Sequence, residues 1–129
     1  TMESIFKQAD IVSLHVPLTT ETTYLINDDF IHKFEKAFYL INTARGKCVN
    51  TKDLVSALEK GKIKGACLDV LEDEKTSFEN LSQEGFTAEM QYIMDSPKTI
   101  LSPHIAGWTQ ESNVKIAKVL LEKITSSAQ

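Results

Sequence analysis

Glycine is scarce and scattered in this chain of 129 residues: Gly46, Gly61, Gly65, Gly85 and Gly107 are its only five. No Gly-x-Gly-x-x-Gly can be drawn through them, so the loop that cradles a pyrophosphate at a helix N-terminus is missing. Cysteine is rarer still. Cys48 and Cys67 lie nineteen residues apart, in no Cys-x-x-Cys pattern and near no histidine cluster, which argues against zinc or thioredoxin-type chemistry and for reduced thiols. No metal site is expected. No apolar run approaches the ~18 to 20 residues that a membrane span needs, and Thr1 is followed by no basic-then-apolar leader. With fourteen basic and eighteen acidic side chains the formal charge is −4, so neither nucleic acid nor a membrane is an expected partner. A cytoplasmic location is the expectation.

What is present suits one globular domain, since 42% of the residues are hydrophobic and 25% charged. Met2, Ile5, Phe6 and Ala9 recur at helical spacing. Residues 11–16 are then β-branched and nearly continuously apolar, as a strand covered on both faces would be, until Pro17 withdraws a ladder donor. Asn27 and Asn50 are placed to cap helices, the first carrying Phe30, Ile31 and Phe34 and the second Leu54, Val55 and Leu58 before Gly61. Further strands are expected at 37–42, 65–70 and 99–101, with helices at 87–94 and from Thr109 onward. In the last helix Val114, Ala117, Leu120, Leu121 and Ile124 make an apolar stripe, and 125–128 read as a frayed tail.

The expected strands begin at Ile11, Phe38, Gly65 and Thr99, about 27, 27 and 34 residues apart, with a helix in each interval. Only parallel pairing needs crossovers that long. No LxxLxL pattern recurs, which sets aside a leucine-rich solenoid. The expected fold is α/β, a parallel sheet of about four strands with helices on its faces.

In such a sheet ligands gather at the carboxyl ends of the strands, and three side chains of different character follow those ends. His104, in Ser102-Pro103-His104-Ile105-Ala106-Gly107-Trp108, puts an imidazole where the fourth strand stops. Arg45, between Asn42-Thr43-Ala44 and Gly46, carries a planar charge that can grip a carboxylate through two parallel hydrogen bonds. Glu74 lies just past the third strand, and a carboxylate beside an imidazole favours its protonated form. Asp69, near the end of an apolar strand, needs a partner for its buried charge. A ligand amide or a helix N-terminus would serve.

Four stretches together resemble the D-2-hydroxyacid dehydrogenases: Ala9 to Leu18, Leu40-Ile41-Asn42-Thr43-Ala44-Arg45-Gly46, Gly65-Ala66-Cys67-Leu68-Asp69-Val70, and Leu101 to Trp108. They span nearly the whole chain, in the family's order. The resemblance implies that His104 is the general acid and base at the substrate carbonyl, paired with Glu74, and that Arg45 binds the substrate carboxylate. It implies further that His15 and Pro17 line the cofactor and that Thr43, Ala44 and Arg45 pass near the nicotinamide ribose. Asp69 would accept from the carboxamide, and Gly107 would let the backbone close on the ring beside His104. The implied cofactor is NAD, with NADP as the alternative, and the implied substrate is a small 2-hydroxy or 2-oxo acid.

Two departures qualify the resemblance. Lys75 follows Glu74 where the family commonly has proline, and Asn50-Thr51 replaces an acidic pair at a helix start. With the glycine loop also absent, residues 1–129 are expected to be a partial NAD-binding domain, the second half of a Rossmann-like doubly wound fold and a fragment of a longer two-domain dehydrogenase. Alone it should be inactive. Its first strand would have an unpaired edge, so a homodimer or other self-association is expected. The alternative on the same scaffold is an NAD-sensing, corepressor-like binding protein. A magnesium-binding signalling domain would leave Arg45 and His104 unexplained.

Overall fold

The computed structural model describes residues 1–72 and 86–127. Glu74 lies outside the described residues. The first helix, α1 (Met2–Gln8), is capped by the Thr1 hydroxyl and leads into β1 (Ile11–Leu14). Asn27 caps α2 (Asp28–His32) by accepting from the Phe30 amide. After β2 (Phe38–Asn42) and a short 3-10 turn (Gly46–Cys48), the Asn50 side chain accepts from the Asp53 amide and starts α3 (Thr51–Glu59). That helix ends where Gly61 takes φ 75°, a left-handed geometry that glycine adopts without a side-chain clash. Then come β3 (Ile63–Leu68), α4 (Ala88–Asp95) capped by Thr87, β4 (Thr99–Leu101) and α5 (Gln110–Ser127).

The four strands are parallel and stand in the order β1-β2-β3-β4. Their ends are level: Leu14 is opposite Asn42, Asn42 opposite Leu68, and Leu68 opposite Leu101. This is the α/β parallel sheet that the strand spacing implies. The bounds of two strands, the first and the third, differ from expectation. The first strand stops at Leu14 rather than Val16, because its partner leaves the ladder at Asn42 and turns away through Ala44. The third runs from Ile63 to Leu68 and ends where the Leu68 carbonyl accepts the Ser102 amide at the close of β4.

Among the described residues the buried core lies on one face of the sheet, under its flanking helices. Phe38, Leu40, Ala66 and Leu68 of the sheet join Ile31, Phe34, Leu54, Leu58 and Ile93 in a single buried cluster. Phe6 meets the rings of Phe30 and Phe34 edge-on, at 5.3 and 5.1 Å, and Phe34 stacks on Phe38 at 4.0 Å, tying α1 to the sheet. Alternation along the strands sends Ile11, Tyr39 and Ile100 to the opposite face, where all three are exposed. β1 is thus an edge strand with Ile11 59% exposed, not a strand covered on both sides. Helix α5 runs on to Ser127 instead of fraying at Thr125, whose hydroxyl bonds back to the Leu121 carbonyl. Its Val114, Leu120, Leu121 and Ile124 are exposed. Among the described residues no helix is long and apolar enough to cross a membrane.

Candidate active site

Because the strand ends are level, the first residues past β1, β2, β3 and β4 are His15, Thr43, Asp69 and Ser102, and all leave the sheet along one rim. The rim is closed by backbone bonds. Asp69 donates its amide to the Asn42 carbonyl at 2.9 Å, and Ser102 donates to Leu68 at 3.0 Å. Strands that pair lie ~4.8 Å apart, so the strands that deliver Arg45 and His104, with β3 between them, stand about 10 Å apart at their ends.

At the end of β2 the buried Asn42 shapes the turn. Its Oδ1 accepts from the Ala44 amide at 3.0 Å and its Nδ2 donates to the Arg45 carbonyl at 3.0 Å, an Asx turn made with the backbone just downstream. Ala44 is buried beneath this turn, Thr43 is half-buried and Arg45 is exposed. The guanidinium folds back to donate to the Ala44 carbonyl at 2.6 Å.

At the end of β3 the carboxylate of Asp69 is buried, and its partners belong to the loop after β4. Oδ1 accepts from the Ser102 hydroxyl at 2.6 Å and the Ile105 amide at 2.9 Å, while Oδ2 accepts from the Ala106 amide at 2.9 Å. The compensation expected from a ligand or a helix end comes from this loop. Burial pushes the Asp69 carboxyl up, but the Ser102, Ala106 and Ile105 hydrogen bonds and the nearby His104 outweigh it and hold the group below its usual range. A carboxylate has about four lone-pair sites, so Oδ2 keeps room for a further donor.

His104 is held inside that clamped loop. It takes φ 56°, in the left-handed region that costs a residue with a β-carbon about 1–2 kcal/mol. Its amide donates to the Ser102 carbonyl at 3.0 Å, and the next two amides are fixed by Asp69. The imidazole is exposed, as is Trp108 at 80%. A Cβ added to Gly107 would meet only open space.

His15 is exposed beside β1, its Nε2 2.8 Å from the Ser13 hydroxyl, and the Pro17 carbonyl accepts from the Thr22 hydroxyl at 2.6 Å. The rim therefore gathers His15, Thr43, Ala44, Arg45, Asp69, His104 and Gly107 from four strand ends. The residues present fit the carboxamide end of a dinucleotide, with an open acceptor on Asp69 and bare backbone at Gly107. They do not fit its pyrophosphate, for which no glycine loop is present.

Asn42, Ser102 and Glu72 were not singled out by sequence as site residues. An asparagine ending an apolar run just before a turn is a signal for the first. Glu72 is hidden in the acidic run Glu72-Asp73-Glu74, where pattern cannot single out the half-buried acid. Its Oε1 accepts from the Tyr24 hydroxyl at 2.6 Å and its Oε2 from the Thr51 amide at 2.9 Å. Burial raises its pKa, yet Thr51, Tyr24 and the charge of Lys47 together bring it below the ordinary value.

Comparison with known proteins gives one consistent answer. The family model described as D-isomer specific 2-hydroxyacid dehydrogenase, NAD binding domain, matches residues 1–106. A glyoxylate reductase of Thermofilum pendens is 40% identical over 125 residues, which cover 92% of this chain and 32% of that protein. The NAD complexed D-isomer specific 2-hydroxyacid dehydrogenase from Lactobacillus delbrueckii ssp. bulgaricus superposes with a TM-score of 0.78 at 33% identity, over 100% of this chain and 41% of that one. A D-lactate dehydrogenase from Aquifex aeolicus, complexed with NAD and lactic acid, gives a TM-score of 0.76 at 34% identity, over 99% and 40%. The chain spans about a third of the length of the curated relatives it matches.

Proposed function

This chain belongs to the D-isomer specific 2-hydroxyacid dehydrogenases, within their NAD-binding domain, and from that premise we propose that it works as part of an oxidoreductase interconverting a small D-2-hydroxy acid and its 2-oxo acid. In this reading the chain is the second half of that domain, and the glycine loop for the pyrophosphate comes from elsewhere in the protein. The relatives named above are reductases and dehydrogenases, which favours turnover over a sensing role on the same scaffold. The protein would act in the cytoplasm.

The residues divide the work by charge. His104 delivers a proton to the carbonyl oxygen as negative charge develops there, and removes it in the reverse direction. Glu74 partners that imidazole. Arg45 swings from the Ala44 carbonyl to hold the substrate carboxylate, where its fork can make two parallel bonds. Thr43 and Ala44 flank the ribose, His15 and Pro17 line the cofactor, and Asp69 Oδ2 takes the carboxamide N–H. Gly107 leaves space for the ring beside His104. When bound, NAD supplies the hydride acceptor or, reduced, the donor.

The observation that carries this reading is the level sheet edge, which brings the exits of β2, β3 and β4 to a single rim while Asp69 fastens the loop of His104. Its test is NADH-dependent reduction of glyoxylate and pyruvate by the full-length protein. His104→Ala should cut kcat by about 10²- to 10⁴-fold with little change in KM. Arg45→Ala should raise KM for the 2-oxo acid as well. Unaltered turnover in the His104 variant would overturn the proposal.

A further inference from the structure

The turn that begins at Arg45 sits inside a closed ring of contacts. Tyr24 donates its amide to the Lys47 carbonyl at 2.8 Å, and its hydroxyl to Glu72 Oε1 at 2.6 Å. Glu72 in turn follows Leu71, whose backbone lies directly on Gly46: a Cβ at that glycine would stand 1.8 Å from the Leu71 carbonyl oxygen and 2.7 Å from the Glu72 nitrogen. The ring thus runs from Lys47 to Tyr24, to Glu72, and back to Gly46. A second anchor comes from Oε2 of Glu72, which accepts the Thr51 amide at 2.9 Å just beyond the same turn. Tyr24 takes φ 53°, a strained geometry for a tyrosine, and its carbonyl is held by Asn27 Nδ2 at 3.0 Å.

Both anchors bear on where Arg45 can reach. The Arg45 carbonyl is fixed from one side by Asn42 and accepts the Cys48 amide at 3.1 Å, while the next residue is pressed by Leu71. The side chain itself is exposed and donates to its neighbour's carbonyl. Its aim therefore depends on its backbone.

We infer that Glu72 is a positioning residue for Arg45: by holding Tyr24 with one carboxylate oxygen and Thr51 with the other, it seats the segment leaving β3 across Gly46 and fixes the turn that presents the guanidinium. This rests on the proposed role of Arg45 in gripping a carboxylate. A displaced guanidinium loses its paired geometry, and a misplacement of about 1 Å can cost two orders of magnitude.

The test is steady-state reduction of glyoxylate and pyruvate by the full-length protein carrying Glu72→Gln, Tyr24→Phe, or both, with Arg45→Ala alongside. Each single variant should raise KM for the 2-oxo acid about three- to tenfold, leaving kcat within about twofold and KM for NADH unchanged. The double variant should be no worse than Glu72→Gln, since both changes break one ring. A lowered melting temperature with unchanged KM in both single variants would overturn the inference, because a purely structural brace predicts that pattern. Should Glu72→Gln fail to fold, Tyr24→Phe alone decides, as it deletes one hydroxyl. If Arg45→Ala leaves KM unchanged, the carboxylate role falls and the inference with it. If Arg45→Ala raises KM while the Glu72 and Tyr24 variants do not, the inference falls alone.

Discussion

The carboxylate of Asp69 accepts the backbone amide of Ala106 at 2.9 Å, across 37 residues of sequence and one pair of neighbouring strands. With Ser102 and Ile105 on its other oxygen, it fastens the loop on both sides of His104. The left-handed geometry of His104 is thereby imposed by a neighbour that sits at the end of a different strand.

Asp69→Asn is nearly isosteric, yet its amide nitrogen must face a donor. We expect a loss of about 1–3 kcal/mol, the cost of buried donors left unsatisfied. Urea unfolding gives the number, and hydrogen exchange should show the Ile105 and Ala106 amides losing protection first. Unchanged protection would mean that the loop holds its shape without the carboxylate.

Acid should find the same bond. Asp69 and Glu72 are both held below their ordinary pKa values in the folded chain, burial being outweighed by hydrogen bonds in each. Groups of that kind stabilise the fold fully above their unfolded pKa, about 4, and lose the contribution as pH falls through the lower folded value. Urea midpoints should therefore be level near neutrality and drop below about pH 4. The drop should be shallower in Asp69→Asn, and an equally steep one would assign the acid sensitivity to other carboxylates.

Gly46→Ala should be poorly tolerated. The added methyl would stand 1.8 Å from the Leu71 carbonyl oxygen, a backbone atom that cannot swing aside. A cost of at least about 2 kcal/mol is expected, read from thermal or urea unfolding. Gly107→Ala, where a Cβ meets nothing, is the matched control and should be within about 0.5 kcal/mol.

The uncovered surfaces lead us to expect self-association. β1 is an edge strand, and Ile11, Tyr39 and Ile100 on the sheet lie open together with Leu120, Leu121 and Ile124 on α5. Sedimentation of residues 1–129 should show species larger than a monomer, diminished by Leu121→Glu. A monomer at high concentration would show that these surfaces do not pair with themselves.

Much of this protein was legible in its residues. The β-branched runs, the intervals between them and the caps at Asn27 and Asn50 give a parallel α/β sheet, because crossover length and helix capping are local constraints. The order Asn42-Thr43-Ala44-Arg45-Gly46 and Ser102-Pro103-His104 likewise points to chemistry at strand ends. The extent of cover was not legible. An apolar run such as 11–16 looks the same whether one face or two are packed, and only the folded sheet leaves Ile11 at 59% exposure.

What the amino-acid order determined by itself was the alternation of strand and helix and the residue types delivered to each strand end, since both follow from short-range periodicity and backbone chemistry. Which of those residues hold one another was decided only in three dimensions. Asp69 reaches Ser102 and Ala106 because β3 and β4 are parallel neighbours. Glu72 reaches Tyr24 and Thr51 because the loop after β1 and the start of α3 fold against the exit of β3. These are contacts between segments that sequence keeps 21 to 48 residues apart.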